Sequence, residues 1–147
     1  MGIANVTENA ILDLVFRATA WTDYAINHTT TPQTSISIGL HTADPGEAGT
    51  MATSESAYTN YARQSINRSG TSPNFAAADA NGESFLAANV DFPSSGAAGT
   101  TITFFSTGHT GTVAQPILWS GDVSPSIAVG ASGVIPRLTT ATKVTLT

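Results

Sequence analysis

The sequence has no cysteine. That excludes a disulfide scaffold, a thiol nucleophile and thiolate metal sites, and it leaves the redox compartment open. Positive charge is nearly as scarce. Arg17, Arg63, Arg68, Arg137 and Lys143 stand against 10 acidic residues, for a formal net charge of -5. So few bases make no phosphate-binding patch, and direct nucleic-acid binding is not expected. No apolar run approaches membrane-spanning length, so no membrane contact is expected either. The opening residues carry no basic leader, and Glu8 and Asp13 interrupt the apolar run that follows, so they do not read as a signal peptide.

The chemical motifs are equally sparse. There is no GxxxxGK phosphate loop, and the stretch Gly130 to Val134 (GASGV) lacks the final glycine of a nucleophile elbow. His41, Asp44 and Glu47 lie close in sequence but without the alternating oxygen spacing of a calcium loop. The expectation is therefore no enzyme, no catalytic residue, no metal and no cofactor.

At 147 residues the chain fits a single domain, 1–147, able to bury a substantial core without staples. Charged residues make up only 10% of it. Ser, Thr, Ala, Gly and Asn occupy positions where a soluble monomer usually carries Lys and Glu, a surface suited to burial against neighbouring subunits.

Ile36, Ile38 and Leu40 alternate with Ser37, Gly39 and His41, the two-residue period of a half-buried strand. Asp44-Pro45-Gly46 ends it in a turn, and a polar loop follows. From Tyr58 the alternation returns, with Ala62, Gln64 and Ile66 opposite Tyr61, Arg63 and Ser65. Thr100 to Thr107 predicts a further strand with Ile102 and Phe104 on one face and Thr103 and Phe105 on the other. Gly108 to Gly111 reads as a turn. Ile117 to Trp119 reads as a short strand stopped by Ser120-Gly121-Asp122, and Lys143 to Thr147 as a terminal strand. Ahead of these, Ala10, Ile11, Leu14, Val15 and Ala18 form an apolar stripe over residues 6–19, with Asp13 and Arg17 paired opposite and Asn5 or Thr7 as the cap. The pattern as a whole predicts a mainly β fold, a single-domain antiparallel β-sandwich or barrel-like body over residues 34–147, preceded by one amphipathic N-terminal helix.

Leu40 to Thr50 (LHTADPGEAGT) and Tyr61 to Ser65 (YARQS), with Ile102 to Phe105, Ile117 to Gly121 and Val144 to Leu146, resemble a family of small tailed-bacteriophage proteins often labelled tail fibre or minor structural protein. The resemblance spans most of the chain. It departs at Asn60, where glycine would be usual before the tyrosine. It implies a virion component with no catalytic residues and leaves head and tail both open; the lack of a leader adds the expectation of assembly in the host cytoplasm.

The first functional expectation is a capsid cement or decoration protein that stabilises the head by bridging capsid subunits, since binding to the assembled lattice stabilises that form. The alternative is a tail fibre or adsorption protein that binds a host receptor, with Trp21, Tyr24, Tyr58 and Tyr61 stacking on sugar rings. A third, of another class, is a carbohydrate-active or lectin-like module. The expected partners are copies of itself, for instance in a trimer, and the major capsid protein or tail proteins. The residues chosen as interaction sites are Ile11, Val15, Asp44, Pro45, Glu47, Tyr58, Tyr61 and Arg63, from the N-terminal helix and from the loop and strand after Leu40.

Overall fold

A computed structural model describes residues 3–110 and 114–146. In chain order the elements are α1 (Asn5–Arg17), β1 (Ser35–His41), β2 (Gln64–Asn67), β3 (Glu83–Phe85), β4 (Val90–Asp91), β5 (Thr101–His109), β6 (Ile117–Ala128), β7 (Arg137–Leu138) and β8 (Lys143–Thr145). The mainly β class with one N-terminal helix is as the sequence indicates. The strands form a four-stranded sheet in the order β2-β1-β5-β6 and two ribbons, β3-β8 and β4-β7; the four-stranded sheet stays open, with β2 and β6 at its ends, so no barrel closes among the described residues. The chain divides into two compact units, each assembled from discontinuous segments. One holds the residues up to Ile36 with Ile66–Asn89 and the C-terminal segment from Leu138; the other holds Ser37–Ser65 and Val90–Arg137.

In the first unit α1 buries Glu8, Leu12 and Phe16, residues one turn apart on one face. The expected stripe through Ile11, Leu14 and Val15 is instead half-buried. The large ring decides this orientation: Phe16 packs against Phe75 with centroids 4.7 Å apart, burying more apolar surface than Val15 could. Neither Asn5 nor Thr7 caps the helix. Ala4 occupies that position, its carbonyl accepting from the Thr7 and Glu8 amides, while the Asn5 side-chain amide donates to the Ala80 carbonyl. The Asp13–Arg17 pair forms as expected, at 3.5 Å. Ala18 turns into the left-handed region at φ 56 and ends the helix. Elsewhere in this unit β3 runs antiparallel to β8, with Ser84 opposite Val144. The expected terminal strand is β8; its last residue, Thr147, lies outside the described residues.

In the second unit β5 and β6 pair antiparallel, Phe105 opposite Gly121 and Ser106 opposite Ser120. Simple alternation fails along β5. A register shift between Ile102 and Phe104 reverses the side-chain parity, so Ile102 and Phe105 are both buried while Phe104 is half-exposed. Ser120-Gly121-Asp122 does not stop β6, which runs through to Ala128. A Cβ on Gly121 would approach the Phe105 ring to 2.9 Å, so the glycine is a seat for that ring in mid-strand. β6 has no fully buried residue and forms an edge of its sheet. Asp122 and Pro125 sit in it, a charge and a missing amide that discourage further strand pairing. The expected turn at Gly108 begins too early, since β5 extends through His109; Gly111 lies outside the described residues.

β2 is shorter than its alternation suggested, because Tyr58 to Tyr61 form a turn closed by the Tyr61 amide donating to the Tyr58 carbonyl at 2.9 Å, and the strand starts only at Gln64. Asn60 lies in that turn at φ 76. This is the position at which the resemblance led to an expectation of glycine. Among non-glycine residues asparagine best tolerates positive φ, so the departure in sequence keeps the backbone shape.

Candidate functional site

The residues from His41 to Arg63, singled out from the sequence, fold into an anchored loop rather than a free excursion. At its base the Thr42 amide donates to the Ser54 carbonyl and the Ser56 amide to the Leu40 carbonyl, each at 2.8 Å, and His41 bridges Glu55. At its tip Asp44 Oδ1 accepts from the Gly46 amide at 2.8 Å, a turn in which the aspartate side chain mimics backbone. Asp44 and Glu47 are exposed there, whereas Pro45 is buried. Met51, fully buried, roots the middle of the loop, and its amide donates to the Gln115 carbonyl at 2.9 Å.

A polar clamp holds the far side. Arg63 donates from Nε to Glu55 Oε1 at 2.6 Å and from a terminal nitrogen to Oε2 at 2.7 Å, the two-pronged geometry that suits guanidinium and carboxylate. The Tyr61 hydroxyl donates to the same Oε1 at 3.0 Å and accepts from the Leu40 amide at 3.0 Å. Burial pushes the Tyr61 phenol far above its ordinary range, and the bond to Glu55 keeps the Arg63 guanidinium charged. Tyr61 also stacks on Phe92 at 6.3 Å and meets Tyr58 edge-on at 5.3 Å. Tyr58 is only 3% exposed, and its hydroxyl donates to the Pro93 carbonyl. Tyr58, Tyr61 and Arg63 thus come together as the loop's internal scaffold. Their chemistry faces inward, so of the sites chosen from this stretch Asp44 and Glu47 are left on the surface.

Beside the clamp, His41 Nδ1 lies 2.8 Å from the Thr53 carbonyl and Nε2 lies 2.7 Å from Ser106 Oγ. A carbonyl only accepts, so Nδ1 carries the proton and Ser106 donates to Nε2. Desolvation by burial lowers the His41 pKa and favours this neutral form. The arrangement has the outline of a serine–histidine pair, with both side chains fully buried. Both imidazole nitrogens and Asp44 are committed, and no group of three potential metal ligands occurs among the described residues.

All five basic side chains are engaged within the chain. Arg17 pairs with Asp13, Arg63 with Glu55, Arg137 with Asp91 and Lys143 with Glu83. Arg68 has no carboxylate partner among the described residues. It donates to the carbonyls of Leu14 and Val15 at 2.5 Å each, to that of Gln33 at 2.7 Å and to Asn27 Oδ1 at 3.0 Å. The two helix carbonyls belong to the last turn of α1, where a cation also meets the negative end of the helix dipole.

Arg68 thereby fixes the segment that crosses from α1 to β1, and that segment holds the most exposed aromatic of the chain. Trp21 and Ala25 exchange backbone hydrogen bonds at 2.8 and 2.9 Å, closing a tight turn with Asp23 at φ 68. Tyr24 projects from it, 78% exposed, its ring 4.8 Å from that of Trp21. Of the four aromatics chosen as sugar-stacking candidates, the fold leaves Tyr24 exposed with Trp21 half-buried beside it, and ties Tyr58 and Tyr61 into the scaffold of the loop. Ile26 and His28, not chosen, are also exposed. The run Thr22 to His28 is too short and mixed to show a period, so the sequence carried no signal for their orientation.

No helix is long and apolar enough to cross a membrane among the described residues. A family model described as "Podophage GP4 fiber I protein gp80" matches residues 2–146. No curated protein matches the chain.

Proposed function

The chain belongs to the podophage fiber I protein gp80 family and is a bacteriophage virion structural protein; on that premise we propose that it is a subunit of a fibre on a tailed phage, working by contact rather than by catalysis. The family match over nearly the whole chain is the observation that carries this reading. The arrangement of charge supports it. With every base engaged internally, contacts with other virion proteins rest on apolar and hydrogen-bonding surface, as in assemblies with an apolar centre and a polar rim. The subunit acts as a homo-oligomer joined to tail proteins. The capsid-cement placement rests on surface composition alone and has no residue-level support.

Labelling of intact virions decides the matter. A gold-tagged antibody against the chain, or a density map of the particle, places copies on a fibre if the proposal holds. Copies distributed over the capsid lattice in fixed ratio to the shell protein would overturn it in favour of cement.

A further inference from the structure

The exposed segment Trp21 to His28 combines features that point to a ligand. The Tyr24 ring is held rather than free: the Trp21–Ala25 turn closes beneath it and the Trp21 ring lies against it. Exposure then alternates, with Tyr24, Ile26 and His28 outward and Ala25 and Asn27 half-buried. Arg68 anchors Asn27 from inside. His28 Nδ1 accepts from the Thr30 and Thr31 amides at 3.3 and 3.0 Å, so a neutral ring carries its proton on Nε2, a donor set by the local backbone.

We propose that this strip binds a neutral glycan whose sugars carry methyl groups, as in N-acetylated or 6-deoxy hexoses. The apolar face of a pyranose packs on the Tyr24 ring, and the sugar methyl rests on Ile26. Asp23 accepts from sugar hydroxyls while His28 Nε2–H donates to a ring or acetamido oxygen. A nucleic acid is disfavoured because no Lys or Arg lies in the segment and the chain is acidic. A second copy is disfavoured by area. Two exposed apolar side chains cover a few hundred Å² at most, short of the roughly 800 Å² per partner of a stable interface. The proposal deepens the fibre reading and rests on it for the setting in which such a glycan is met.

Isotope-labelled protein titrated with triacetylchitotriose, a rhamnose trisaccharide and maltotriose tests it. Triacetylchitotriose or the rhamnose trisaccharide shifts the Trp21 indole and amides 21–28 in the millimolar range, whereas maltotriose, lacking the methyl, binds several-fold more weakly. Tyr24→Ala weakens binding about tenfold or more, and Tyr24→Phe retains it; circular dichroism checks that both variants keep the fold. Absence of shifts with all three sugars, or shifts indifferent to Tyr24→Ala, would overturn the proposal. So would an oligomer that Tyr24→Ala dissolves in sedimentation, which assigns the strip to a second copy. The sugar titration reads the strip alone, whereas virion labelling reads the fibre role, so either can fail without the other.

Discussion

Replacing Arg68 by methionine keeps the apolar stem of the side chain and removes its guanidinium, and with it the four hydrogen bonds to Leu14, Val15, Gln33 and Asn27. A hydrogen bond from a charged donor contributes about 1.5–3 kcal/mol, and the helix dipole adds up to ~1 kcal/mol. The bonds do not add in full. Arg68 is half-exposed, so water reaches some of the released acceptors, and burial lowers its pKa, the sign that holding the charge there carries a desolvation cost. A net loss of about 2–4 kcal/mol follows, which for a chain of this length lowers Tm by about 5–15 °C. Arg68→Lys retains the charge but cannot span four acceptors, and should recover only part of the loss. Urea unfolding followed by circular dichroism measures both variants. If the methionine variant lies within about 0.5 kcal/mol of the parent, or lysine is no better than methionine, the reasoning about Arg68 is wrong.

Other substitutions test the second unit. His41 is held neutral with a lowered pKa, so the unfolded chain takes up a proton before the folded one; the stability from His41 is complete above its ordinary value of 6.5 and declines as the pH falls below it. Unfolding free energies measured between neutral pH and about 5, above the range of ordinary carboxylates, should fall with acid in the parent and change less in His41→Gln; parallel slopes would refute the assignment. A Cβ on Gly49 would overlap the Pro45 carbonyl oxygen. Gly49→Ala should therefore shift the loop tip, read as lost hydrogen-exchange protection at the Gly46 and Gly49 amides, and unchanged protection would count against this packing. Asn60→Gly should change stability by less than about 1 kcal/mol, because it frees φ but loses the 3.3 Å bond to the Ser94 carbonyl; Asn60→Val should cost about 1–3 kcal/mol. Equal stabilities of the two Asn60 variants would contradict the strained-turn account.

Periodicity and punctuation are local properties, and the sequence determined what depends on them: the mainly β class, the single N-terminal helix, β1 from its Ile36-Ile38-Leu40 alternation, and the Asp44-Pro45-Gly46 turn. It also determined that the bases are too few to form a cationic surface. The tertiary structure decided which faces are used. Helix α1 rotated to bury Phe16 because a facing ring, Phe75, was available, and no rule of spacing contains that partner. β6 ran through Ser120-Gly121-Asp122 because Phe105, on the neighbouring strand, needed the space above Gly121. Tyr61 and Arg63 looked like surface contacts until Glu55 met them from the loop, while Tyr24 kept its exposure because no described segment packs over it. Burial and pairing join residues far apart in the chain, and the free energy of those joint contacts, which no single stretch encodes, divides scaffold from surface.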